Sequence, residues 1–176
     1  MIHADSLREH LIALEAVVFD FDGVFTDNVV RVNQNGVESV SCWRSDGLGL
    51  KRIADLNVKI LILSTEENPV VTVRANKLKI ECIQNVTDKA HALQIWVNRN
   101  NLEIKRVAYV GNDINDVPAF KAVGFPVAVG DAYPEILPHV LYRTVKSGGR
   151  GAVREVCDLI FHAKQGSLNG LKTYVP

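Results

Sequence analysis

Short apolar runs recur along the chain, and each ends in small or polar residues. Ala16–Phe19 runs into Asp20, Lys59–Leu63 into Ser64-Thr65, 107–110 into Gly111-Asn112-Asp113, and 126–129 into Gly130-Asp131. Runs this short, rich in Val and Ile and without alternation, predict strands buried on both faces. The segments between them carry helical patterns. Leu48, Ile53 and Leu56 repeat apolar positions over 47–56, and Asn68-Pro69 opens a helix reaching about Leu78, with proline suited to a first position. Thr87 or Asp88 can cap a helix bearing Ala92, Leu93 and Trp96; another follows Asn115, and a last one covers 151–161. Strands alternating with helices predict a parallel sheet in an α/β, Rossmann-like doubly wound fold.

One segment breaks this rhythm. Residues 28–43 read as two strands, 29–32 and 37–41, around Asn33-Gln34-Asn35-Gly36. An Asn-Gly pair between β-branched runs is a strong hairpin signal. A β-hairpin is therefore inserted after the first strand, near the carboxyl ends of the sheet strands, where open α/β sheets bind ligands.

Composition narrows the partners. Basic and acidic residues balance at 20 each in 176 residues, so the net charge is zero. That argues against nucleic acid, whose binders carry surplus Lys and Arg, and against a polybasic membrane-surface protein. The 47% hydrophobic content supports a sizeable core, and a domain of this length buries roughly 70% of its unfolded surface. Cys42, Cys82 and Cys157 are odd in number and lack metal-ligand spacing, which predicts free thiols in a reducing compartment. With no signal pattern and no apolar run near the roughly 20 residues that span a bilayer, the expectation is a cytoplasmic protein. Without repeats or linkers, residues 1–176 read as one domain, with the hairpin as a flap and a tail over 164–176.

The strongest chemical signal is Asp20-Phe21-Asp22-Gly23-Val24-Phe25-Thr26-Asp27, directly after the first buried strand. Two carboxylates a few ångströms apart repel by roughly 4 kcal/mol at an effective dielectric of about 20. Either one is protonated or a cation sits between them, and a hard oxygen-binding ion such as Mg²⁺ would bring phosphate oxygens with it. Gly23 permits the sharp turn around such a site. A plain turn cap is the alternative for any lone Asp-x-Asp. Gly111-Asn112-Asp113-Ile114-Asn115-Asp116 brings a second acidic cluster to the same sheet edge, and one of its residues also suits a helix cap. Ser64 offers a hydroxyl and backbone N–H groups to an anion. Lys89, near a helix start, is placed against the helix dipole; it is either an ordinary solvated lysine or the partner of a phosphate.

These segments, in this order, resemble the haloacid dehalogenase superfamily of phosphohydrolases. Asp20 to Gly23 is similar to its first motif, Ser64 to its second, Lys89 to its third and 111–116 to its fourth. The resemblance is closer to the capless 3-deoxy-octulosonate 8-phosphate phosphatases and the phosphatase-like domains of acylneuraminate cytidylyltransferases. Arg44 to Gly49, Ser64 to Pro69, Arg74 to Leu78 and Gly148 to Ala152 carry it.

That likeness implies a Mg²⁺-dependent phosphatase without a separate cap domain. Asp20 would be the nucleophile, Asp22 the general acid and base, and Ser64 and Lys89 the phosphate-holding pair. Mg²⁺ would be held by Asp20, the Asp22 carbonyl and the fourth motif. Asn112 stands where the family usually places a carboxylate, so whether Asn112, Asp113 or Asp116 touches the metal is open. Thr26, Thr65, Glu66, Arg74 and Lys77 are candidates for the substrate. Arg74 and Lys77 would meet its carboxylate or form a solvated helix face; Glu66 would bind sugar hydroxyls or cap the next helix. The Ser64 to Pro69 segment favours a nine-carbon keto-deoxy sugar-acid 9-phosphate, with the octulosonate 8-phosphate close behind. The alternatives are a non-catalytic oligomerisation partner and a broad small-metabolite phosphatase. An aspartyl-phosphate needs shelter from water, so a chain this short is expected to borrow a lid in a homotetramer with its hairpins packed together.

Overall fold

The computed structural model describes residues 4–167. Six parallel strands make the central sheet: β1 (Ala16–Phe19), β4 (Lys59–Leu63), β5 (Glu81–Ile83), β6 (Val107–Gly111), β7 (Phe125–Ala128) and β8 (Tyr142–Arg143), in the order β5-β4-β1-β6-β7-β8. The helices are α1 (Ala4–Ala13), α2 (Asp46–Ala54), α3 (Val70–Leu78), α4 (Lys89–Arg99), α5 (Val117–Ala122) and α6 (Ala152–Lys164). Helices α1 and α2 pack on α6 in one layer, and α4 packs on α5 in another. Every residue of β1, β6 and β7 is buried. Such strands need apolar side chains on both faces, which is why they read as runs of Val, Ala and Phe, with Tyr109, Gly111 and Pro126 among them.

The strand order fixes where a site can form. The chain builds outward from β1 through β4 to β5, then returns and builds outward the other way through β6, β7 and β8. Phe19 is in register with Ile62 on one side and Val110 on the other. Connections therefore diverge on either side of β1, leaving a crevice at its carboxyl end. Asp20 is the first residue beyond that end.

The hairpin is present but shorter than its apolar pattern suggests. Only β2 (Arg31–Val32) and β3 (Glu38–Ser39) pair, antiparallel, with one isolated bridge between Thr26 and Cys42. Asn33 Oδ1 accepts from the N–H groups of Asn35 and Val37, and Gly36 takes φ +76°, which closes the turn. Val29, Val30, Val32 and Val37 are all exposed. A two-stranded ribbon with no surface beneath it has little to extend its ladder.

Helix α6 is started from outside itself. Its N-cap, Gly151, has no side chain, and Asp46 of α2 supplies the missing acceptor by taking the Arg154 N–H at 3.2 Å. Gly49 lets the helices close, since a Cβ there would meet Arg154 Cδ at 2.8 Å and Cys157 Cβ at 2.9 Å. Asp46 is fully buried and its Oδ2 has no partner. The three cysteines are free thiols. Among the described residues no helix is long and apolar enough to cross a membrane. The tail expected over 164–176 lies outside the described residues beyond Ser167.

Burial pushes the Asp46 carboxyl up to about 7, against the Arg154 N–H and the Arg74 and Arg154 charges. The folded state thus binds this proton more tightly than the unfolded chain, so its stabilising effect is lost as pH rises through about 7. Asp46→Asn removes that dependence. In thermal melts at pH 5, 6, 7 and 8, the Tm of Asp46→Asn relative to wild type is expected to climb with pH. A constant difference would refute the assignment.

Candidate active site

Three loops converge beyond the carboxyl ends of β1, β4 and β6. After β1, Gly23 takes φ +73° and the chain turns back on itself, with the Val24, Phe25 and Thr26 N–H groups all directed to the Phe21 carbonyl. Thr26 Oγ1 accepts from the Gly23 and Asn28 N–H groups and donates to Asp22 Oδ1 at 3.3 Å. The Gly148-Gly149 turn is laid directly on this loop. A Cβ on Gly148 would stand 1.8 Å from the Gly23 carbonyl oxygen, and one on Gly149 2.4 Å from the Asp27 nitrogen. Asp131 anchors the turn by accepting the Gly148 N–H, and Arg150 pairs with Asp27.

The centre of the site is a buried ammonium between two carboxylates. Lys89, the first residue of α4, places Nζ 2.8 Å from Asp20 Oδ2 and 2.7 Å from Asp116 Oδ1. Asp88 caps α4 through the His91 N–H, so the alternative with Thr87 is not used. Lys89 is therefore not a solvated surface lysine: two anions offset both its burial and its unfavourable place at a helix start. Burial alone would lower its pKa, but Asp20 and Asp116 outweigh that and hold it above the ordinary lysine value. Burial, then the Asp116 charge, push Asp20 up to about 7 against the pull of Lys89. Asp22 is raised as well, by burial and then by the Glu66 charge, while the Thr26 hydroxyl opposes the shift.

Above this pair opens a polar cavity of about 90 Å³, lined by Asp20, Asp22 and Asn28, by Ser64 and Thr65, and by Asn112, Asp113 and Asn115. At roughly 30 Å³ per water, it holds a group of about three waters' volume. Ser64 is nearly fully buried, and its Oγ accepts the Glu66 N–H.

The remaining candidates are placed differently. Thr26 is fully buried with its hydroxyl engaged inside the loop, so it shapes the Asp22 turn and has no face toward a substrate. Glu66 accepts the Asn68 N–H at 2.7 Å, ahead of α3, and also influences Asp22 through its charge. Arg74 and Lys77 do not line the Asp20 cavity; Arg74 donates to the Trp43 carbonyl, and Lys77 borders a separate groove between α2 and the end of α3.

The chain is similar to known proteins in sequence and in fold. Residues 52–155 match the model of the haloacid dehalogenase-like hydrolases. The 3-deoxy-D-manno-octulosonate 8-phosphate phosphatase of Yersinia pestis is 34% identical over 162 residues, covering 92% of this chain and 87% of that protein. The chain belongs to the haloacid dehalogenase-like hydrolase family. Among solved structures, a HAD family hydrolase described from Streptomyces avermitilis shares 44% identity at a TM-score of 0.81, covering 83% of this chain and 90% of that one. The octulosonate phosphatase of Moraxella catarrhalis, solved with magnesium, phosphate and KDO, shares 30% identity at a TM-score of 0.89, covering 94% and 95%.

The donor set of this hydrolase fits a hard cation. Among the described residues, no three His, Cys, Asp or Glu side chains cluster tightly enough to hold a metal alone. Asp20, Asp22, Asn112 and Asp113 all line the cavity and offer a mixed set of oxygens instead. Asn112 is seated over the first loop, for a Cβ on Gly23 would lie 2.1 Å from its Nδ2 and 3.0 Å from its Oδ1. Asp113 turns one oxygen to the Ile114 N–H but still borders the cavity. Asp116 has no oxygen to spare. Its Oδ1 takes Lys89 and the Tyr109 hydroxyl, and its Oδ2 takes the Asn112 and Asp113 N–H groups. Of the three residues left open by the sequence, Asp116 is thus the one removed from direct ligation.

Asn112→Asp adds a carboxylate opposite Asp20. Without a cation the variant is expected to melt below wild type, through like-charge repulsion. Mg²⁺ is expected to raise its Tm more, with a midpoint at lower concentration than in wild type. Equal midpoints by thermal-shift titration would remove Asn112 from the cation's surroundings.

Proposed function

We propose that this hydrolase, acting as a single domain over residues 1–176, releases phosphate from a 2-keto-3-deoxy sugar-acid phosphate through an aspartyl-phosphate on Asp20. The observation that carries the reading is the buried contact of Lys89 with Asp20 at the edge of a small polar cavity. An ammonium there restrains the carboxylate and offers charge to an incoming phosphoryl group. In the first half-reaction an Asp20 oxygen bonds to phosphorus, the phosphorus–sugar oxygen bond breaks, and Asp22 gives its proton to the departing oxygen. In the second, Asp22 takes a proton from water, the water oxygen bonds to phosphorus, and the Asp20–phosphorus bond breaks. The raised Asp22 pKa suits a group that must be protonated first and ionised next. Ser64 and Lys89 hold the phosphoryl oxygens. Asp20, the Asp22 carbonyl, Asn112 and Asp113 would hold Mg²⁺, which would supply positive charge against the transferring group.

Two sugar acids compete as substrate. The names of the Yersinia and Moraxella proteins support an octulosonate 8-phosphate. The Ser64 to Pro69 segment supports the nine-carbon 9-phosphate, since it resembles the neuraminate-associated branch more than the octulosonate enzymes, which more often carry a Gly-Arg pair after the hydroxyl. Thr65 and Glu66 meet the sugar in either case. Arg74 and Lys77 lie off their own chain's cavity, so they reach a substrate carboxylate only across a subunit boundary. The exposed hairpin valines, with Leu48 and Val73 also exposed, support assembly as a homotetramer.

Asp20→Asn is expected to abolish Mg²⁺-dependent phosphate release while circular dichroism stays unchanged. Equal inertness of wild type and variant across a panel of sugar-acid phosphates would favour a non-catalytic assembly role, and equal efficiency on unrelated esters a broad phosphatase. Light scattering is expected to give a tetramer; an active monomer would sink the shared-site arrangement.

A further inference from the structure

One polar group in the buried centre has no part in the chemistry above. Tyr109 sits mid-strand in β6, fully buried, among Val107, Ala108 and Val110. Its ring packs edge-on against Phe120 with centroids 5.5 Å apart, a contact phenylalanine would make equally well. The hydroxyl adds one bond, 2.7 Å to Asp116 Oδ1, the oxygen that also receives Lys89 Nζ. Burying a hydroxyl is unfavourable unless a partner compensates it, and Asp116 is that partner.

We propose that Tyr109 is a positioning residue, holding Asp116 Oδ1 so that Lys89 presents its remaining N–H to the phosphoryl group. An ammonium has three N–H bonds in fixed tetrahedral relation. With one aimed at Asp20 and one at Asp116, the direction of the third follows from the other two. Asp116 is held at Oδ2 by the Asn112 and Asp113 N–H groups and at Oδ1 by Tyr109. Without the hydroxyl, only Lys89 restrains Oδ1. The carboxylate is then free to pivot about its other oxygen, and the third N–H loses its aim. This inference rests on reading Lys89 as a phosphate-holding residue.

Tyr109→Phe tests it. On p-nitrophenyl phosphate with Mg²⁺, kcat is expected to fall roughly tenfold, with KM within about twofold of wild type. Ile160→Ala, a buried truncation on α6, serves as control; it is expected to lower Tm while leaving kcat unchanged. A second measurement needs no turnover. In metal-free protein, the combined Tyr109→Phe/Lys89→Met variant is expected to lose less Tm than the two single losses summed, because both groups act on one oxygen. An unchanged kcat in Tyr109→Phe, a kcat loss matched by Ile160→Ala, or strictly additive Tm losses would overturn the proposal. A wild type inert on every phosphate ester would instead defeat the phosphatase reading, and the melting series would then decide the role of Tyr109.

Discussion

A lysine ammonium held between two carboxylates, all but sealed from water, is the constraint on which this molecule is organised. Removing three charges from water carries a desolvation penalty that mutual attraction offsets only when every remaining lone pair is also satisfied. Asp116 meets that condition with four donors, and Asp20 with Lys89 and the Phe21 N–H. The group still carries one more negative charge than positive, and Asp22 and Asp113 border the same space. With all of these carboxylates ionised the imbalance is unfavourable, and a proton on Asp20, whose pKa is raised to about 7, or a neighbouring positive centre offsets it.

The surroundings serve that centre with small residues and backbone more than with additional charge. Gly23 makes the first loop narrow enough for Asn112 to rest on it, and Gly148 and Gly149 let a second turn press on the same loop from another side. The loop's three inward N–H groups share one carbonyl, so its shape is set locally and then clamped. Such clamping restricts the Asp20 and Asp22 carboxylates to a small range of separations.

What could be read from residues alone divides along physical lines. The interior strands are legible because burial on both faces forces unbroken apolar runs. The edge strands β5 and β8 are three and two residues long and partly exposed, too short to leave a pattern. The hairpin valines suggest longer strands than form, because β propensity needs a surface to pack on and none lies beneath. Asp20 and Asp22 stand out by following a strand, and Lys89 and Asp116 by their order along the chain. The division of labour in the fourth motif depends on where two carboxylate oxygens point, which spacing does not encode. Tyr109 escapes notice entirely. In a buried run it reads as one more large apolar residue, and only the 2.7 Å contact reveals its hydroxyl at work.

The placement of β1 also bears on how the chain reaches its native state. Ala16 pairs with Lys59 on one side and Val107 on the other, so the strand leading into Asp20 has no partner nearby in sequence. Both pairings close long loops, an entropic cost met before any contact rewards it. Lys89 reaches Asp20 only once β4, β5 and the turn into α4 are in place, and Asp116 joins them only after β6 docks. The centre therefore depends on segments far apart in sequence and needs the central strands paired before it can form. A chain in which β1 lacked either neighbour would have no contact between Lys89 and its two carboxylates.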